Sequence, residues 1–150
     1  MSRIARIAAA AVFAGLALSF TVARADDLFD GIAAIPGAVE DVRVGGTWDR
    51  NDESGIYRVI IARVGGAAVT ARLFIQWVAY EDGGGAAVRD TIEIKEFGDL
   101  AVDIVDYTSE SDDGTLSLVI RTLDPNGSND LDYDLTVLSP TEYKFAPASN

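Results

Sequence analysis

The 150-residue chain contains neither cysteine nor histidine. Without cysteine there are no disulfide bonds, so packing of the core has to stabilise the fold by itself. The two absences together exclude Ser-His-Asp and Cys-His nucleophilic sites, and zinc or copper centres of the ordinary type. No glycine cluster opens a predicted helix, which excludes a phosphate loop or a dinucleotide-binding fingerprint. Only carboxylates, tyrosines and a few basic residues remain for catalysis.

Basic residues are scarce as well. The chain has 12 Lys and Arg against 24 Asp and Glu, a net charge of −12. An acidic surface repels nucleic acid and anionic lipid, so we expect no binding to either. Cations or basic partners remain compatible with this charge.

The N-terminal segment has the pattern of an export signal. Arg3 and Arg6 precede an apolar run of 16 residues (7–22), and Ala23-Arg24-Ala25 is a small-x-small cleavage site. The run is shorter than the roughly 20 apolar residues that span a bilayer. We therefore predict that residues 1–25 are a cleaved signal peptide and that no membrane insertion follows cleavage.

Removal of this signal would leave residues 26–150 as one domain. The signal contains three of the basic residues and none of the acidic ones, so the net charge after cleavage would be −15. Small eukaryotic secreted scaffolds tend to be rich in disulfides, and this chain has none. The predicted location is the periplasm or the exterior of a bacterium.

The remainder of the chain alternates between apolar and polar residues with a period of two, which predicts β-strands. Turn residues interrupt the pattern about every ten residues, and this spacing is typical of an antiparallel sandwich or barrel. The only predicted helix is capped by Asp26 or Asp27 and ends before Pro36-Gly37. Gly98-Asp99 predicts a two-residue hairpin. The fold class is thus all-β, an antiparallel up-and-down barrel or a β-sandwich of seven or eight strands, preceded by a short helix.

Aromatic residues form the first candidate site. The first strand is predicted to place Val42, Val44, Gly46 and Trp48 on one face, and the third strand contains Phe74, Trp77 and Tyr80. We predict that the ligand-binding residues are Trp48, Phe74, Trp77 and Tyr80. Phe74 interrupts the polar face of its strand, which favours an exposed contact patch at that position.

Gly46-Thr47-Trp48 resembles the N-terminal Gly-x-Trp motif of the lipocalins and related eight-stranded barrels. The short preceding helix and the approximately eight following strands are similar to that arrangement too. The resemblance implies that Trp48 closes the barrel bottom beneath a basic residue of a late strand, here Arg121, and that a ligand occupies the barrel mouth. Large apolar side chains that fill the interior completely would be the alternative.

A polar segment near the C-terminus is the candidate metal site. Alternate oxygen-bearing residues match the first five ligand positions of an EF-hand type calcium loop: Asp124, Asn126, Ser128, Asp130 and Asp132. The loop departs from that pattern at Asn129, where glycine is required, and at Leu135, where a bidentate glutamate is required. A polar hairpin turn, without a metal, is the competing interpretation. Calcium is the one cofactor that the sequence suggests.

Four carboxylates are candidates for an acid–base pair: Glu93, Glu96, Asp103 and Asp106. The alternation predicts that Asp106 shares the inward face of Ile104, whereas Tyr107 lies on the opposite face.

The leading functional prediction is an exported, soluble, non-catalytic module that binds a small apolar ligand or a protein partner. A calcium-stabilised structural or surface protein is the alternative, followed by a carboxylate-dependent hydrolase.

Overall fold

The computed structural model describes residues 24–66, 68–125 and 131–149, with the backbone alone for residues 24–26. These residues belong to two compact units, one that ends at Ile35 and one that starts at Pro36. The predicted signal peptide lies almost entirely outside the described residues.

The first unit contains helix α1 (Arg24–Ala33). The helix begins before Asp26 and Asp27, which were predicted to cap it. Its apolar side chains Leu28, Phe29 and Ile32 are exposed. No helix in the described part of the chain is long and apolar enough to cross a membrane.

The second unit is an antiparallel β domain with one short helix, which confirms the all-β prediction. The first four strands form one sheet, sheet A, in the order β1-β2-β3-β4, and the last four form sheet B in the order β5-β6-β7-β8. The strands of sheet A are β1 (Val39–Arg50), β2 (Glu53–Gly65), β3 (Val69–Tyr80) and β4 (Ala86–Ile94). Those of sheet B are β5 (Asp103–Asp112), β6 (Thr115–Leu123), β7 (Asp132–Ser139) and β8 (Glu142–Pro147).

Helix α2 (Lys95–Leu100) connects the two sheets where a hairpin at Gly98-Asp99 was predicted. That prediction was wrong because the connection runs from one sheet to the other and buries an apolar side chain on the way. Phe97 is fully buried in the core, and the helix ends at Ala101, which adopts a left-handed conformation and donates its N–H to the Phe97 carbonyl.

A bulge in β1 changes which side chains of this strand face the core. The register shifts between Val44 and Gly46, where Gly46 has a φ of 150°. A side chain at Gly46 would collide with Ser111 of sheet B. The bulge leaves Val42 and Val44 exposed while Trp48 is buried, so the predicted common face of these residues was wrong.

A second bulge, in β5, has the same consequence. The register shifts between Ile104 and Asp106. The extra residue turns Tyr107 into the core and Asp106 out to solvent, the reverse of the prediction. Strict alternation fails at both positions because an inserted residue shifts the period by one.

The two sheets share one hydrophobic core. Buried side chains from both sheets and from α2 form a single cluster, and in it Phe97 contacts Tyr133 and Phe145 edge to face. Polar contacts also join the sheets, since Arg63 binds Asp103 and the Ile104 carbonyl. The residues from Pro36 onward therefore form one packed unit.

Candidate functional site

Trp48 and Trp77 converge at one end of sheet A. They line a common cavity of about 190 Å³ together with residues of the β1–β2 hairpin and of β4. The additional lining residues are Arg50, Asn51, Glu53, Arg89 and Asp90. Two of the four predicted ligand-binding residues are thus brought together.

The β1 bulge and the β1–β2 hairpin position Trp48. The two turn residues, Asn51 and Asp52, have φ angles of 53° and 64°, as a tight type I′ hairpin requires. Trp48 is buried, and its indole N–H donates to the Ile56 carbonyl at 3.0 Å. Its polar atom is satisfied, so the ring is fixed in place as one wall of the cavity.

Trp77 differs in one respect, because its buried indole N–H makes no hydrogen bond of normal geometry and its polar neighbour is the Tyr57 hydroxyl, on whose pKa it acts. The ring lies edge to face with Tyr57 on the adjacent strand, with the ring centroids 5.6 Å apart. The Tyr57 hydroxyl donates to the Gly114 carbonyl.

The pKa of Tyr57 reflects the same packing. Burial raises it, whereas the nearby Trp77 indole and the positive charge of Arg50 act in the opposite direction. The phenol therefore stays protonated as a donor to Gly114 over the physiological range of pH.

Tyr80, the last residue of β3, extends the site outwards. It is 58% exposed and lines two depressions, of about 310 and 540 Å³, that adjoin the tryptophan cavity. Trp48 borders the first of these, and Glu53 and Arg89 border the second. The depressions share the lining residues Trp48, Glu53 and Arg89, while Tyr80 lies on the opposite face of β3 from Trp77. We call the three depressions together, with Trp48, Trp77 and Tyr80 as their aromatic residues, the aromatic groove.

Gly55 allows the strands beneath the groove to approach closely. A Cβ atom at this position would overlap the Val78 carbonyl oxygen of β3. Only glycine fits there, and the register between β2 and β3 below Trp48 depends on it.

Ion pairs border the groove. Arg89 binds Glu53 at 2.8 Å and lies 3.6 Å from Glu81. Arg50 instead donates to the Leu138 carbonyl of sheet B. These residues were not predicted from the sequence, because they meet only through the pairing of strands. Arg50 lies two residues after Trp48 in the sequence, and this spacing is the one local signal that could have identified Arg50.

Phe74 does not belong to the groove. It lies on the other face of β3 from Trp77, half-buried, with the Arg72 guanidinium 5.3 Å from its ring centroid. Arg72 also forms an ion pair with Glu93, which lowers the pKa of that carboxyl group. Phe74 lines none of the three depressions, whereas Trp48, Trp77 and Tyr80 each line at least one.

The arrangement implied by the lipocalin resemblance is not observed around Trp48. Arg121 is exposed on β6, where it lines a small depression with Asp106, Tyr107 and Asp132. Among the described side chains, the guanidinium groups stacked on aromatic rings are Arg43 over Tyr107 and Arg72 over Phe74.

The four candidate catalytic carboxylates have four different partners. The pairs are Glu93 with Arg72, Glu96 with the Tyr143 hydroxyl, Asp103 with Arg63 and Asp106 with Arg43. A backbone hydrogen bond from Tyr107 and the Arg43 guanidinium lower the pKa of Asp106. No two of the four share a partner, and the acid–base pair stays a prediction.

Residues 126–130 of the candidate calcium loop lie outside the described residues. Asp132 is exposed at the start of β7. Within the ranges that the structure describes, no group of three or more carboxylates is arranged to hold a metal ion. The calcium site stays a prediction.

Comparison of the chain with protein-family models, with curated proteins and with solved structures finds no match.

Proposed function

We propose that the protein is a non-catalytic binding module and that its ligand occupies the aromatic groove. One observation supports this most directly: both tryptophans of the chain line the same cavity. Aromatic walls with a few polar groups at the rim are the usual lining of a ligand site.

The dimensions of the groove favour a small molecule. Its tryptophan-lined part measures about 190 Å³, below the roughly 300–1,000 Å³ of pockets that enclose drug-sized ligands. The larger depression beside Tyr80 is lined mainly by charged side chains. We propose a ligand with a compact apolar body.

Binding, and not catalysis, is the activity that the residues support. The chain has no histidine or cysteine to act as a nucleophile or base at neutral pH. The candidate acids engage separate partners, and none of them lines the groove. We infer that the groove holds its ligand without transforming it.

We infer further that the two sheets form a sandwich. Each sheet has its own unbranched strand order, and their inner faces fill a common core of Leu, Ile, Val and aromatic side chains. The core is closed by packing, so the ligand site lies at the end of sheet A and not in a central barrel cavity.

We also propose that the protein is exported to the bacterial periplasm or exterior after cleavage between Ala25 and Asp26. Expression of the full chain in a bacterium, fractionation and mass measurement test this. The expected product begins at Asp26 in the exported fraction. A product of full length that stays in the cytoplasm would overturn the proposal.

Nuclear magnetic resonance tests the binding proposal directly, because the chain has only two tryptophans and both line the groove. We expect benzylamine, benzyl alcohol or benzoate to shift the two indole N–H signals in a saturable way. The variant Trp77→Phe should lose this binding, whereas Phe74→Leu, on the other face of β3, should retain it. If none of the three probes shifts either indole signal, the groove is not a binding site for small molecules of this size.

A further inference from the structure

The chain contains three Asp-Gly dipeptides, Asp30-Gly31, Asp82-Gly83 and Asp113-Gly114. An aspartate that precedes glycine is prone to spontaneous isomerisation, because glycine has no side chain to hinder the approach of its nitrogen to the aspartate carboxyl group. Glycine also leaves the main chain free to rotate into the conformation that this approach requires. The three dipeptides are alike in sequence, so their surroundings in the fold decide which of them reacts.

The reaction begins when the main-chain nitrogen of the glycine attacks the side-chain carboxyl carbon of the aspartate. A C–N bond forms, a C–O bond of the neutral carboxyl group breaks, and the hydroxyl leaves with the amide proton as water. The product is a cyclic imide, a succinimide. A water molecule then opens the ring at either carbonyl. Opening at the main-chain carbonyl gives isoaspartate, whose main chain runs through the side chain and is one carbon atom longer.

The first dipeptide is held by helix α1. Gly31 lies inside this helix, where main-chain N–H groups donate to carbonyl groups one turn earlier. The helix also fixes the backbone dihedral angles of Asp30. The attack at Asp30 therefore requires local unfolding of α1.

The third dipeptide is held by the hairpin between β5 and β6. Asp113 and Gly114 have φ angles of 46° and 71°, as a tight type I′ turn requires. The Gly114 carbonyl accepts a hydrogen bond from the Tyr57 hydroxyl. A Cβ atom at Gly114 would lie 3.4 Å from the Asp49 carbonyl oxygen of β1. Movement of Gly114 towards the Asp113 carboxyl group therefore costs the Tyr57 hydrogen bond.

The second dipeptide, in the connection between β3 and β4, lies in open space. All five residues of this connection (81–85) are exposed. Gly83 and Gly84 have φ angles of 90° and 86°, and a Cβ atom at either position would meet no atom within 4 Å. The Asp82 side chain and the Gly83 nitrogen can therefore approach each other without displacing a neighbour.

Hydrogen bonds close the β3–β4 connection without restraining Asp82-Gly83. The Glu81 N–H donates to the Gly85 carbonyl, and the Gly84 N–H donates to the Glu81 carbonyl. Among the described residues, the Gly83 N–H has no acceptor. The nucleophilic nitrogen is thus free in the folded protein.

We propose that Asp82 is a modification site, at which the folded protein converts aspartate to isoaspartate through a succinimide formed with Gly83. This inference does not depend on the proposed function. Asp82 borders the depression beside Tyr80, so the additional main-chain carbon changes the outer part of the aromatic groove.

Peptide mapping of the aged protein tests the inference. The three dipeptides fall on different tryptic peptides (residues 25–43, 73–89 and 96–121), and Asp82 is the only aspartate of the second. Aspartate and isoaspartate peptides have the same mass and are separated by chromatography, and isoaspartyl methyltransferase labels the isoaspartate form. The folded chain is kept for weeks at body temperature and mildly acidic pH, with tryptophan fluorescence as the check that it stays folded.

We expect isoaspartate to form at Asp82 about tenfold faster than at Asp113, the factor that one hydrogen bond of ordinary strength imposes on an opening step. Asp30, inside α1, should also lag behind Asp82. In urea that unfolds the chain, the three dipeptides should react at similar rates, because the restraints of the fold are gone.

Two variants locate the effect. Asp82→Glu keeps the charge but would have to form a six-membered ring, which closes far more slowly, so the peptide 73–89 should remain a single species. Tyr57→Phe removes the hydrogen bond to Gly114, so it should speed the reaction at Asp113 several-fold and leave the rate at Asp82 unchanged.

Several results would overturn the inference. If Asp113 or Asp30 reacts as fast as Asp82 in the folded protein, or if Asp82 reacts only in urea, the fold does not select this site. A second form of the peptide 73–89 in Asp82→Glu would assign the change to another residue. An unchanged rate at Asp113 in Tyr57→Phe would refute the selection of Asp82 by its lack of hydrogen bonds.

Discussion

Two aromatic side chains in the described part of the domain have a buried polar hydrogen that makes no hydrogen bond of normal geometry, the Trp77 indole and the Tyr107 hydroxyl. Beside the Trp77 ring lies the cavity of about 190 Å³ that Trp48 also lines. Beside Tyr107 the depression measures about 80 Å³, and the Arg43 guanidinium lies 4.9 Å from the ring centroid. The two regions therefore differ in the space that is open beside the ring, and not in the pairing of the buried polar hydrogen.

The two sheets differ in a related way. In sheet B, β6 alternates between buried and exposed residues along its whole length. In sheet A, irregularities in strand pairing occur between Val44 and Gly46 and between Trp77 and Val78, close to both tryptophans of the groove. Bulges often re-aim side chains beside functional sites. Sheet B has irregularities as well, between Ile104 and Asp106 and between Val137 and Ser139, so sheet A is distinguished by their position beside the two tryptophans.

The largest expected effect on stability comes from a change at Gly55, where β2 and β3 approach each other closely beneath the groove. Gly55→Ala should destabilise the domain by about 3 kcal/mol, because the new Cβ would overlap the Val78 carbonyl and force the strands apart. Urea unfolding followed by tryptophan fluorescence measures this. Gly98→Ala in α2, whose new Cβ would meet no atom within 4 Å, is the control and should not destabilise the domain. Equal stability of Gly55→Ala and the wild type would contradict the packing of these strands.

Removal of one tyrosine hydroxyl from each of the two aromatic regions compares how much the two hydroxyl groups contribute to stability. Tyr57→Phe should cost about 1–2 kcal/mol, since it deletes the donor to the Gly114 carbonyl and leaves that acceptor unpaired. Tyr107→Phe deletes a donor that has no partner, so it should leave stability unchanged or raise it slightly. The difference in urea midpoint between the two variants is the measurement. A larger loss in Tyr107→Phe would show that its hydroxyl is bonded in solution.

Alkaline pH should produce a smaller change that depends on Tyr107. Burial, chiefly, raises the pKa of this phenol to about 12, against an ordinary value of about 10. Its contribution to stability is complete below pH about 10 and is lost as pH rises towards 12, because the unfolded chain ionises first. The free energy of unfolding should therefore fall between pH about 10 and about 12, and by less in Tyr107→Phe. An identical fall in both proteins would assign the effect to other groups.

Much of the fold follows from the sequence because alternation with a period of two is a strong signal of half-buried strands. The eight observed strands, four in each sheet, and the observed turn at Asn51-Asp52 agree with this alternation. Alternation cannot locate an inserted residue, so the orientations of Val44, Asp106 and Tyr107 were mispredicted. Helix α2 was missed because six residues are too few to display a helical period.

The sequence predicted only part of the candidate site, because a local pattern does not show which strands lie side by side. The aromatic nature of the residues was enough to identify Trp48, Trp77 and Tyr80. It identified Phe74 equally well, although the Phe74 ring lies on the other face of β3 from Trp77. The charged residues Arg89 and Asp90 come from β4, and only the register of β4 on β3 places them beside Trp77. Residues that meet through strand pairing leave no local pattern in the sequence.

The most direct test of the aromatic groove is a map of backbone amide shifts across the whole domain during a titration with benzylamine. The groove predicts saturable shifts confined to the β1–β2 hairpin (residues 47–55) and to the end of β3 with the start of β4 (residues 77–90), together with both indole signals. Shifts that centre instead on Tyr107 and Arg121, or on Phe74 and Arg72, would contradict the assignment of the site.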